Sequence, residues 1–113
     1  MRQALICLLL TVVYSAKADV LFRDEHKGHG FIFESDRKDI EATVSQDEAL
    51  QLAIDWAMSF YGDESLEVAD IEFRIEPIRF WLVTLRKPGT DEAFYAVVLP
   101  DGTIVEPHEE AKV

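Results

Sequence analysis

FWLVTLRKPGTDEAFYAVVLPDGTIVEP, residues 80–107, decides the fold. Two turn signals divide it into three extended runs. Residues 80–86 and 93–99 are apolar at nearly every position, and KPGTDE between them reverses the chain. Pro100-Asp101-Gly102 makes the second turn, because proline presets φ, aspartate bonds the backbone and glycine accepts a positive φ. Residues 103–106 return as a short strand that Pro107 stops. An antiparallel sheet commonly buries one face and wets the other. These strands are apolar on both faces, so each face needs a cover.

Upstream, Ile71, Phe73 and Ile75 alternate with Asp70, Glu72, Arg74 and Glu76, the period of a further strand, which Pro77 ends. Before it lies the clearest element. Ser45 with Glu48 three residues on forms a capping box, and Val44 can staple onto Ala49. Ala49, Leu50, Ala53, Ile54, Ala57, Met58 and Tyr61 follow at helical spacing, opposite Gln51, Asp55 and Ser59. Gly62 suits the left-handed position that closes a helix. Leu52, Trp56 and Phe60 widen the apolar arc, so the helix is expected to touch more than the sheet. Trp56 reads as the edge of the core beside it.

The expected fold class is α+β, with one main helix packed on a curved antiparallel sheet of three to four strands, after a cleaved signal peptide. A tight turn at 76–79 pairs Ile75 with Phe80, Phe73 with Leu82 and Ile71 with Thr84. Opposing Arg86 to Ala93 sets Leu82 against Val97 and Phe80 against Leu99, and adds Tyr95. This face is expected beneath the helix. Trp81, Val83, Leu85, Phe94, Ala96 and Val98 fill the other face, with Arg74 opposite Trp81. A bare apolar patch on the order of several hundred Å2 marks an interaction surface. Trp81, Val83, Leu85, Phe94, Val98 and Arg74 are therefore the candidate partner-binding residues. The cover is the N-terminal arm, a second copy of the chain, or a foreign protein or peptide. A register shifted by one residue would exchange the two faces.

Residues 1–18, MRQALICLLLTVVYSAKA, read as a signal peptide: Arg2, an apolar run over 4–13, and Ala16-Lys17-Ala18 as the cleavage motif. The apolar run is shorter than the roughly 20 residues a membrane span needs. The mature chain is expected to start at Asp19 and to hold 95 of the 113 residues, without cysteine, since Cys7 is removed. Export to the periplasm or medium follows, with no membrane association after cleavage. Loss of Arg2 and Lys17 leaves nine cations against 22 acids, a net charge of −13. Such a surface repels nucleic acid and anionic lipid. Residues 19–44 form an N-terminal arm with a candidate short strand at 31–33, residues 45–106 the helix-on-sheet domain, and residues 107–113 a flexible tail.

His26 and His29, near Asp24, Glu25 and Glu34, are weak metal candidates without a defined third ligand. No mature cysteine and no G-x-S-x-G serine offers a nucleophile, and no glycine loop cradles phosphate. The expectation is a non-enzymatic chain with no cofactor.

SQDEALQLAIDWAMSFYG, then FWLVTLR, then AFYAVVLPDGTIVEP, resembles the PepSY domain, through Glu48-Ala49, Ala53, Trp81, Val83, Asp101 and Gly102. The resemblance covers residues 44–106 and implies a binding role in an exported protein, such as restraint of a peptidase. The same segment is similar to immunity proteins of the nuclear-transport-factor fold, through Tyr61-Gly62 and the later Trp81-x-Val83. Ala93-Phe94 stands where those proteins usually carry a Gly-Gly pair. Cystatin-like inhibitors share the helix-on-sheet plan, but their Q-x-V-x-G loop is missing. The competing expectation is a small-molecule or metal-binding protein with a cavity between helix and sheet.

Overall fold

The computed structural model describes residues 18–110 apart from Lys27 and Asp39. The expected signal peptide lies outside the described residues except for Ala18, as do residues 111–113 of the expected tail. The fold is α+β, one helix with two antiparallel sheets.

Chain order is β1 (Asp19–His26), β2 (His29–Ser35), α1 (Gln46–Tyr61), β3 (Glu67–Arg74), β4 (Phe80–Arg86), β5 (Ala93–Val98), β6 (Ile104–Val105) and β7 (His108–Glu110). One sheet runs β3-β4-β5-β6, the other β1-β2-β7. Helix α1 forms as its caps dictate. Ser45 Oγ accepts from the Glu48 N–H at 3.2 Å, and Glu48 Oε1 accepts from the Ser45 N–H at 3.0 Å. Gly62 sits at φ 68° and donates its N–H to the Met58 carbonyl.

Ala49, Ala53 and Ala57 are fully buried, and their small side chains let the helix lie close on the sheet. Beneath them are Trp81, Val83, Leu85, Phe94, Ala96 and Val98. This reverses the expected faces. The β4–β5 register is as expected, with Arg86 opposite Ala93 and Leu82 opposite Val97. The β3–β4 register is not. Phe80 pairs with Arg74, Trp81 with Phe73 and Val83 with Ile71. The turn thus holds residues 75–79, one more than expected, and a one-residue shift moves every β3 side chain to the other face.

The opposite face, Phe80, Leu82, Val97 and Leu99, packs against Leu21, Phe33 and Ile40. The N-terminal arm supplies this cover, whereas the expectation set it, as one alternative, over the Trp81, Val83 and Phe94 face. The arm is a full hairpin, longer than the short strand expected at 31–33. Residues 108–110 also depart from the expected flexible tail. They pair with β2, Phe31 opposite Glu109 and Ile32 opposite His108, and complete the second sheet. β1 was hidden by its charge: a strand wet on one side tolerates Arg23 and Glu25 there.

The layers run helix, four-stranded sheet, three-stranded sheet. Trp56 packs against both cores. It stacks on Phe60 with centroids 4.7 Å apart and meets Phe33 edge-on at 6.5 Å. The Tyr61 hydroxyl donates to the Tyr95 carbonyl at 2.8 Å, which satisfies a backbone acceptor of β5. Between β2 and α1 the chain is tied down by the Thr43 and Val44 N–H groups, which both donate to Pro100 O, and by Arg79, which donates to Ile40 O at 2.7 Å. No helix among the described residues is long and apolar enough to cross a membrane.

Candidate functional site

Trp81, Val83, Leu85, Phe94 and Val98 do come together, but inside the protein. Trp81 is 8% exposed, Phe94 is buried, and Val83, Leu85 and Val98 are fully buried. The docking surface they were expected to form is the interior beneath α1. The sixth residue, Arg74, is on the opposite face from Trp81. Its guanidinium lies 5.8 Å from the centre of the Phe22 ring and donates to Glu72 at 3.2 Å.

The unfilled surface is at the edge of the larger sheet. β3 pairs with β4 on one side and with no strand on the other among the described residues. An edge strand carries a row of backbone donors and acceptors without ladder partners. Val68, Ile71 and Phe73 lie on the helix side of β3, since their cross-strand partners are Leu85, Val83 and Trp81. Leu50 and Ile54 of α1 are half-buried against the same cluster. Phe73 is 46% exposed and meets Trp81 edge-on at 5.2 Å. Ile75, just past the strand, is 68% exposed. These two are the most exposed large apolar side chains among the described residues. Asp70 and Glu72 face the other way, opposite Thr84 and Leu82.

Ile75 also lines a concavity of about 270 Å3 with Ile40, Pro77 and Ile78, beside Lys38 and Arg79. Lys38 is paired with Asp19. A wider, open concavity of about 690 Å3 lies between the end of β2 and β6, lined by Glu34, Ser35, Arg37, Leu99, Thr103 and Glu106 among others. Arg37 is anchored at its rim, donating to Asp101 at 2.7 Å and Thr103 at 2.9 Å. Burial opposes ionisation of Asp101, but the Thr103 N–H and the Arg37 guanidinium outweigh it and hold the carboxyl at about 2. Neither concavity is the helix-to-sheet cavity of the competing expectation.

His26 and His29 are cross-strand partners at the tip of the hairpin. His29 Nδ1 is paired with Glu109, and His108 Nε2 with Glu34 at 2.8 Å. Among the described residues, no three or more His, Cys, Asp or Glu gather as a metal would require. These pairs flank the β2–β7 contact. Burial pushes the Tyr61 phenol well above the usual tyrosine range. The charge of Asp24 adds to the rise.

Reading the chain alone assigned Ile71, Phe73 and Ile75 to the core. The signal for an edge was there, in a strand with a charge at every second position and a proline just beyond. No family model, curated protein or solved structure matches the chain.

Proposed function

We propose that this chain is a small non-enzymatic binding module that takes up an extended segment of a partner polypeptide along β3. The observation that carries the reading is the eight-residue edge strand with Phe73 and Ile75 exposed beside it. Strand addition uses main-chain hydrogen bonds for affinity and side-chain ground on either side for selectivity. β1 is an edge too, but it offers only Val20 as an exposed large apolar side chain. The signal-like N-terminus supports a location in the periplasm or outside the cell. The PepSY likeness supports a restraining or partner-holding role over a catalytic one.

The test is to select linear peptides from a random library on the purified chain and to map their site by amide shifts in two-dimensional NMR. The largest shifts should fall within residues 67–76, and Phe73→Ser should lose the selected peptides while keeping its spectrum dispersed. Shifts centred elsewhere, or equal selection by Phe73→Ser, would overturn the reading.

A further inference from the structure

Resting on that docking edge, we infer that the accepted segment alternates apolar and cationic residues, and that β3 refuses a second copy of its own chain. Residues directly opposite in paired strands share a face. A segment laid along β3 therefore sets one row of side chains beside Val68, Ile71 and Phe73, and the other beside Asp70 and Glu72. The first row is apolar ground, continued by Leu50 and Ile54 of the helix. The second is acidic. Asp70 has Thr84 as its cross-strand neighbour, so its own sheet places no cation opposite it. Glu72 has Leu82 opposite and shares Arg74, two residues along its own strand. Arg74 is in turn held over the Phe22 ring. The acidic row thus carries net negative charge where an incoming strand would lie.

The same row opposes self-pairing in the central register of the strand. In a two-fold antiparallel arrangement centred on Ile71, Asp70 of one copy would stand opposite Glu72 of the other, twice over. Like charges directly opposed destabilise a strand pair. The irregularity between Val68 and Asp70 further spoils the edge as a template for a flat partner. Carboxylates that repel a copy attract lysine or arginine. The overall charge of −11 for the full chain speeds the approach of a basic segment in the same sense.

Three blocked ten-residue peptides test this by fluorescence anisotropy on the purified chain: alternating valine and lysine, valine and threonine, and valine and glutamate. The lysine peptide should bind about tenfold tighter than the threonine peptide, the gain of two cross-strand ion pairs. The glutamate peptide should not bind. Asp70→Asn with Glu72→Gln should bring the lysine peptide down to the threonine level and leave the threonine peptide unchanged. Equal binding of lysine and threonine peptides, both lost in Phe73→Ser, would overturn the charge assignment and leave the edge reading standing. Peptide binding indifferent to Phe73→Ser would overturn both. A lysine preference that survives the double variant would assign it to overall charge and overturn the acidic row. A concentration-dependent dimer of the parent chain in light scattering that Phe73→Ser abolishes would overturn the refusal of a second copy.

Discussion

Phe33→Ala tests whether the N-terminal hairpin is structural or a removable arm. Phe33 is fully buried and belongs to the core formed with Leu21, Phe80, Leu82 and Val97. Its ring lies 6.2 Å from Phe22 and 6.5 Å from Trp56. Truncating a buried phenylalanine costs about 3–5 kcal/mol, part lost transfer energy and part cavity. A domain of this size holds about 5–15 kcal/mol in all, so one side chain would remove a large share of its stability. At about 4–8 °C per kcal/mol, Tm should fall on the order of 20 °C. The assay is urea and thermal unfolding, followed by far-UV circular dichroism and by tryptophan fluorescence. Its two reporters sample both cores, since Trp81 lies in the helix-side core and Trp56 packs against both. Both signals should move together in one transition. Val20→Ala, at a half-exposed position on the same hairpin, should shift stability by less than about 0.5 kcal/mol. A Phe33→Ala shift below about 1 kcal/mol, or a first transition seen only by circular dichroism, would refute the claim that the hairpin is part of the core.

Two other substitutions probe the joints of the fold. Tyr61→Phe removes the bond to the Tyr95 carbonyl and should cost about 1 kcal/mol in neutral urea titrations. The folded phenol holds its proton more tightly than the unfolded one, so the parent should lose stability as pH rises above about 10, and Tyr61→Phe should flatten that decline. An unchanged alkaline slope would sink the assignment. Gly102→Ala meets a φ of 92° and would put Cβ 3.1 Å from Val44 Cγ1 and 3.3 Å from Leu52 Cδ1. Gly89 has a similar φ of 79° and nothing within 4 Å. Gly102→Ala should therefore lower stability by about 1 kcal/mol more than Gly89→Ala in parallel thermal melts, and equal losses would contradict the packing.

The helix was legible to the residue at its start, because Ser45, Glu48 and Gly62 act through local hydrogen bonds and local conformation. The β4–β5 pairing was legible for a similar reason, since the KPGTDE turn leaves little freedom in the register. What failed was long-range. Residues 80–86 and 93–98 are apolar on both faces, so alternation says that both are covered and not by what. The exchange of faces came from one extra residue in the turn at 75–79, a difference that composition does not carry. His108 and Glu109 read as a polar tail because a three-residue strand leaves no period to detect. The β3 edge escaped detection for the same cause. Giving Phe73 and Ile75 to the core overrode the edge signal of the alternating charges and Pro77.

The second sheet joins the two ends of the described chain, β1 and β2 from residues 19–35 and β7 from residues 108–110. On a ribosome adding about 5–20 residues per second, the hairpin waits several seconds for its last strand. The β2–β7 contact spans more than seventy residues, and such non-local pairings slow folding. A nascent chain therefore stays open along β2 until residues 108–110 have been made. That delay leaves the β2 edge open to misplaced partners until its proper strand arrives.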